Sequence, residues 1–595
     1  MTALTFYENN LKVCSDTLNV FRKRLLAFSL LRLLSFSVFG LAVYSLISHP
    51  SLPLLALSFL GLAFFLTMVV FAQRLKEKKT FYEKLFFINA NEKDILQGKP
   101  NQMDPGEHFS DGTGYAEDLD IFGVRSLFHL LNRCTTTHGK SYLANLLQHP
   151  LLNPQRILDQ QTAVRVLSQQ PETRQQITAH GLLHEEGNDN LHSLEDWLKS
   201  SQQLRKKKWL LVLRWILPVF NTGSFIYYIA TGNILYIAIG FIIAWGINGK
   251  YARYVLKEHL SIGKKQGVLN QYAGILKIFA SVNTQDSALL HQLSQSAQSA
   301  HREIRLLAKL SSAFDQRLNL VVNILLNSLA IYDIQCILAL EKWKERNNSR
   351  FAEWLETVGR IECLNSLAGF AFNYPDYTYP VVQTGETIHI EAIQLAHPLI
   401  PASVRVPNDF VSREDNKIVL ITGSNMSGKT TFLRTLGVNL ILGQAGAPVC
   451  AARLSFSPVE ILTSIRVNDS LQENTSYFMA ELKRLQKIIH RLKEKKPSLV
   501  LIDEILRGTN SEDKTYGSEQ FILQLAQHHC LTFFATHDLT LSALEAGHSS
   551  QVINYCFESI IENDTLRFDY KLRPGVARNK NASFLMKQMG IIDKS

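Results

Sequence analysis

The chain lacks any Cys-x-x-Cys pair. Its seven cysteines (Cys14, Cys134, Cys336, Cys363, Cys450, Cys530 and Cys556) are scattered along 595 residues. That spacing excludes a disulfide framework and a zinc module, and it fits a reducing compartment. Charge is also scarce: 19% of residues are charged and 46% are apolar, with a mean hydropathy of zero. A mostly disordered chain is thereby excluded. The mean is high for a soluble enzyme, so one part of the chain must be far more apolar than the rest. The length implies several domains. What charge there is leans basic, with a net charge of +10 and a pI near 9.1. Such a surplus serves nucleic acid or an anionic membrane surface equally well. The first residues, with Asn9, Asn10 and Asp16 ahead of any apolar run, do not read as a cleaved leader.

Acidic residues are missing altogether from Leu25 to Ala72, where Arg32 is the only strong base. His49-Pro50-Ser51-Leu52-Pro53 divides this stretch, predicting spans at about 26–48 and 54–73. Its second half, Leu54 to Ala72, has 19 residues without a charge, and about that length crosses a ~30 Å hydrocarbon layer. A second such region, at 209–248, is broken near Ala230-Thr231-Gly232-Asn233, and its only charge is Arg214. Two buried helical hairpins would share this composition but not its flanks. Arg22–Arg24 and Arg74–Lys79 bracket the first region, Arg205–Lys208 and Lys250–Arg253 the second, and neither connecting loop holds Lys or Arg. The positive-inside rule then predicts four membrane-spanning helices in a multi-pass inner (cytoplasmic) membrane protein, with both termini in the cytoplasm. Trp209, Trp215 and Trp245 suit interfacial anchoring.

Between and after these regions the texture is helical. Apolar residues recur at three- and four-residue spacing (Leu127, Leu130, Leu131; Leu143, Leu146, Leu147), and a long amphipathic segment is expected around His301 to Trp343. After Tyr374-Pro375, short β-branched runs alternate with helices, as in an α/β domain.

That domain carries Gly423-Ser424-Asn425-Met426-Ser427-Gly428-Lys429-Thr430, matching G-x-x-x-x-G-K-[ST] between the strand Ile418–Ile421 and a helix through Leu436. Glycines let the backbone wrap phosphates, while N–H groups at a helix N-terminus point at them. Lys429 is expected on the β- and γ-phosphates of ATP, and Thr430 on Mg²⁺. Asp503-Glu504 ends the strand Leu499–Ile502, making Asp503 a Mg²⁺ partner and Glu504 the candidate general base. His537 follows the strand Leu531–Ala535 and is the candidate γ-phosphate sensor.

Together these motifs resemble the MutS family of DNA mismatch repair ATPases, which belong to the ABC-type class. The resemblance is carried by TGSNMSGKTT at 422–431, LIDEILRGTNSED at 501–513 and ATHD at 535–538, with Ala396-His397-Pro398, Gly446–Val449 and Ser476–Glu481 around them. Leu127–Leu167, with Gly139 and His149-Pro150, resembles the start of the family's core, and Tyr570–Ala577 its C-terminal segment. The resemblance implies an α/β P-loop NTPase domain at 374–595. Before it come an all-α core and lever at 115–208 and 249–373, the hairpin at 209–248, and an N-terminal membrane region at 1–114. It further implies a homodimer with composite sites, each completed by Ser476 of the other copy, with Arg507-Gly508-Thr509 across the seam. Asn425 would brace the loop, and His397 would lie near the base. Gly423 to Thr431, Ser476 and His397 are thus the expected nucleotide-binding set.

Several features depart from the family pattern. Only 114 residues precede the core, much of them apolar, where the mismatch reader and connector would need some hundreds. The reader's Phe-x-Glu tripeptide occurs twice, at Phe6-Tyr7-Glu8 and Phe81-Tyr82-Glu83, with no domain around either copy. And where a DNA-gripping clamp would interrupt the levers, the second apolar hairpin stands. At the nucleotide site, Asn474 and Leu506 replace family glycines. The reading is a membrane-anchored ATPase acting on its membrane helices or on an unidentified protein partner. Its alternative is a membrane-tethered protein that binds mismatched or branched DNA. A transporter is disfavoured by the missing Leu-Ser-Gly-Gly-Gln motif and the near absence of intramembrane charge.

Overall fold

The computed structural model describes residues 2–49, 51–110, 114–184, 194, 196–385, 387–413, 415–466, 477–506, 510–562 and 565–578. Two long helices open it, α1 (Ala3–Ser48) and α2 (Leu52–Leu96), which break at the predicted proline turn. Each extends well past the apolar run that sequence reading delimited. The segments outside that run dock on the helical core. Tyr7 Oη donates to Asn373 Oδ1 at 2.7 Å, and Glu92 takes two 2.8 Å bonds from Arg133 and one of 2.7 Å from Asn373 Nδ2. A buried Arg–Glu pair that keeps all its partners fixes register at the root of the hairpin. Both Phe-x-Glu tripeptides are used inside the fold. Tyr7 is buried with Glu8 paired to Lys93, and Phe81 packs edge-on to His180 at 4.9 Å.

The helical core contains α3 (Thr137–Gln148), α4 (Pro154–Ser168), α5 (Pro171–Gly181), α6 (Lys208–Thr231), α7 (Leu235–Ile262), α8 (Gln266–Phe279), α9 (Ala288–Asp315), α10 (Leu320–Ala330) and α11 (Tyr332–Asn373). Helix α11 has 42 residues, a length of ~63 Å at 1.5 Å per residue. Its Glu362 accepts from the Thr135 and Thr136 amides at 2.8 and 3.1 Å, where the N-cap of α3 begins. Gly139 makes this approach possible, since a Cβ there would lie 2.1 Å from Glu362 Oε2.

Helices α6 and α7 form the second hairpin. Its root is held by Glu341 of α11, which accepts from the amides of Gln203, Leu204 and Arg205 at 2.8, 3.1 and 2.7 Å and from Tyr254 Oη at 2.8 Å. Of the basic quartet before it, Arg205 pairs with Glu345 at 3.0 Å and Lys207 bonds Tyr251 Oη at 3.1 Å. Helices α1, α2, α6 and α7 are each long and apolar enough to cross a membrane. The amphipathic segment expected around His301 to Trp343 is not one helix. Asn319 caps α10, and Ile331, at φ +46°, turns the chain by 81° into α11.

The α/β part holds two sheets. The smaller contains β1 (Val381–Val382), β2 (Ile390–Leu395), β3 (Asn408–Val411) and β5 (Arg453–Phe456), in the order β1-β5-β2-β3. The larger contains β4 (Ile418–Thr422), β6 (Glu460–Ser464), β7 (Ser498–Asp503), β8 (Cys530–Thr536), β9 (Val552–Glu562) and β10 (Thr565–Pro574), in the order β10-β9-β4-β8-β7-β6. All its pairings are parallel except β9 with β10. Strand β4 lies at its centre and is buried along its whole length, as an apolar run flanked by two parallel neighbours requires. Helices α12 (Lys429–Gln444), α13 (Tyr477–Leu492) and α14 (Ser511–Ala526) complete the domain.

Candidate functional site

Parallel strands end on the same edge of a sheet, and that edge is where α/β folds bind ligands. The register places Thr422 opposite Thr536, and Asp503 opposite Ala535. The residues that follow each strand, Gly423, Glu504 and His537, are therefore brought to one rim although far apart in sequence. Between β4 and α12 the loop turns at Gly428, whose φ of +109° favours glycine. A Cβ on Gly423 would meet Phe557 O and Ser427 Oγ, each at 2.8 Å, so this glycine admits a close backbone approach.

The rim opens into a cavity of about 590 Å³ lined by Asn425 to Phe432, Asp503, Glu504 and His397, with Phe557 and Tyr570 across from the loop. Lys429 Nζ donates to the carbonyls of Gly423 and Ser424 at 2.6 and 2.8 Å. Thr430 Oγ1 donates to Asp503 Oδ2. Glu504 Oε1 receives Lys514 Nζ and lies 2.9 Å from His537 Nδ1. Its backbone sits at φ +55°, an uncommon conformation for a non-glycine residue and one that recurs at functional sites. Met426, also at positive φ, lines the cavity but is 85% exposed. Thr431 lines the wall beside it. Ser476 and Arg507-Gly508-Thr509 lie outside the described residues, as does Asn474. Leu506 is described, and it adopts φ +59° at the position read as a replaced glycine.

Burial, helped by the nearby Arg434 guanidinium and opposed by Asp120, pushes the His397 imidazole down to about 4. It is therefore neutral at physiological pH. Arg434 itself pairs with Asp120 at 2.7 Å, and Arg466 joins the same carboxylate at 2.9 Å. Next to His537 in the chain, burial raises the Asp538 carboxyl. Hydrogen bonds from Thr515 Oγ1 at 2.6 Å and from the Thr540 side chain and amide outweigh it, so the net direction is downward.

The donor set fits a nucleotide with Mg²⁺. A hydroxyl beside a carboxylate is what Mg²⁺ takes when substrate phosphates complete its shell. Among the described residues no group of three or more His, Cys, Asp or Glu forms a protein-only cage. Ser427 Oγ is buried with no hydrogen-bond partner among the described residues, and the first amides of α12 open onto the same cavity. Sequence reasoning missed Lys514, which nothing marks as a partner of Glu504, and the Asp120–Arg434–Arg466 cluster. It quoted Tyr570 only as part of a motif, without giving it a place on the cavity wall.

Residues 113–371 match the family model for MutS domain III, and residues 419–590 that for MutS domain V. The chain belongs to the MutS family. The domain III match straddles the hairpin α6–α7, and both matches leave residues 1–112 outside. The MutS-family chain is 35% identical over 236 residues to the mouse "MutS protein homolog 4", covering 38% of this chain and 24% of that protein. It is 33% identical over 239 residues to "DNA mismatch repair protein MutS 2" of Halobacterium salinarum, covering 38% and 26%. With "DNA mismatch repair protein MutS" of Thermotoga petrophila it shares 32% over 243 residues, covering 40% and 30%. The match thus spans 24 to 30% of the length of these curated relatives.

Proposed function

We propose that this MutS-family chain is a membrane-anchored ATPase whose nucleotide cycle closes a composite-site homodimer and moves its membrane helices. The observation that carries the reading is the meeting of the Gly423–Thr430 loop with Asp503, Glu504 and His537 at one sheet edge, in a chain that also bears four membrane-length apolar helices.

In this reading the loop amides and Lys429 hold the triphosphate, and Lys429 exchanges its carbonyl partners for phosphate oxygens. Thr430 and Asp503 would hold Mg²⁺, which would neutralise phosphate charge. Glu504 takes the proton of the attacking water, and His537, already against its carboxylate, orients that water toward the γ-phosphate. The partner subunit's Ser476 completes the site, so that closure depends on the γ-phosphate and hydrolysis releases it. The hairpins α1–α2 and α6–α7 enter the cytoplasmic membrane from the side that holds the ATPase. Helix α11 links the ATPase to the root of the second hairpin.

The names of the relatives favour a second reading, in which DNA mismatches are bound by a membrane-tethered protein. ATP turnover of the detergent-purified chain, as wild type and Glu504→Gln, with and without a mismatched duplex, separates the two. We expect turnover that the substitution lowers by roughly 10²–10⁴-fold and that DNA leaves unchanged. Mismatch-selective binding with a steep salt dependence would establish the second reading instead.

A further inference from the structure

Helix α10 is built inside out for water. Leu320, Val321, Ile324, Leu325 and Leu329 form one helical stripe and are 71, 65, 42, 56 and 47% exposed, whereas the polar Asn327 is buried. Its end carbonyls are all occupied by protein groups. The Ile331 amide donates to Asn327 O at 3.1 Å, Asn221 Nδ2 to Ser328 O and Leu329 O at 2.9 and 3.0 Å, and Gln335 Nε2 to Ala330 O at 2.9 Å. At the other end, Asn319 Oδ1 accepts from the Val321 and Val322 amides at 3.1 and 3.3 Å. A helix end facing water leaves such groups to the solvent, while one in hydrocarbon must satisfy them internally. Of these donors Asn221 comes from the apolar hairpin itself, and Trp245 Nε1 of the same hairpin adds a 3.0 Å bond to Ser328 Oγ. The exposed stripe is thus continuous with the exposed apolar surface of α6 and α7.

We propose that α10 is a fifth membrane-embedded element, a re-entrant helix lying in the leaflet from which the second hairpin enters, with lipid acyl chains covering its stripe. Its 11 residues give ~16 Å of rise, too short to cross a ~30 Å core. Both its ends return to the same side: Arg317, before it, pairs with Asp333, after it, at 3.4 Å. Because α11 follows through the single residue Ile331, the lever linking the ATPase to the hairpin root starts within the membrane surface.

The inference rests on the membrane reading of α6–α7, so the test examines both. The full chain carries a bimane on Leu325→Cys, on Val321→Cys, on Ile226→Cys of the hairpin or on Leu306→Cys of α9. It is reconstituted in phosphatidylcholine–phosphatidylglycerol vesicles whose acyl chains are brominated either near the glycerol or near the methyl end. The seven native cysteines are all buried, which leaves the added thiol for labelling. Quenching at residues 321 and 325 equal to that at 226, stronger with the shallow bromines, and none at 306, is the expected result. Quenching at 226 without quenching at 321 and 325 overturns the re-entrant helix and leaves the hairpin reading standing. No quenching at 226 overturns the hairpin reading itself.

Discussion

The central strand of the α/β domain and the hairpins use the same residue types in opposite ways. Ile418 to Thr422 are buried without exception, whereas Ile226, Ile229 and Ile242 in α6 and α7 are 63, 70 and 69% exposed. In the sheet, apolar side chains meet one another and polar groups collect at one rim. In the hairpins, many apolar side chains face outward, while the polar Asn221 and Ser224 face the protein. Hydrophobicity alone therefore does not say where a residue goes, since the solvent that each element meets decides it.

Truncating one side chain in each region puts that comparison to a direct test. Leu420→Ala, in β4, should lower stability in detergent by about 2–5 kcal/mol through lost burial and a cavity. Leu60→Ala, at a site 65% exposed on α2, should change it by less than about 0.5 kcal/mol. Denaturation midpoints measure both, and equal losses would place Leu60 in a protein core.

A second contrast is electrostatic and belongs to the nucleotide cavity alone. His397 is neutral in the fold, with its imidazole held down to about 4, and it takes up a proton on unfolding whenever the pH lies below its ordinary value. Its contribution is thus fully present above about 6.5 and is lost as pH falls toward 4, by at most ~3 kcal/mol. The nucleotide-free His397→Asn variant should lose that part of the pH slope of stability, and an unchanged slope would show that another group carries it.

A smaller effect is expected at Lys514, whose ammonium occupies the Glu504 carboxylate. Lys514→Met removes the cation from that oxygen, leaving His537 Nδ1 beside it, and should raise basal turnover by up to roughly tenfold, with the affinity for a non-hydrolysable ATP analogue unchanged. A fall in turnover would make Lys514 a support for Glu504 and not a restraint on it.

What was legible in the sequence follows from how local each signal is. The turn from β4 into α12 could be placed because two glycines, a lysine and a threonine must sit at fixed spacing to wrap a phosphate. The acidic pair Asp503-Glu504 at the end of β7 could be placed because an apolar run ends abruptly in charge. The break at His49–Pro53 was readable from proline. Helix α10 was not, because an 11-residue apolar stretch falls below span length, and its sharp turn uses Ile331, where no glycine or proline flags it. The docking of α1 and α2 through Tyr7 and Glu92 onto Asn373 rests on contacts hundreds of residues apart, as does the Asp120–Arg434 pair. No local pattern encodes either.

The central claim is that one cycle joins the two regions. Its most direct test is the distance between spin labels on Ile229→Cys of two copies, in lipid nanodiscs, with Glu504→Gln to hold the bound state. Adding ATP and Mg²⁺ should produce a defined inter-copy distance that differs from the nucleotide-free distribution. An identical distribution with nucleotide demonstrably bound would contradict the account.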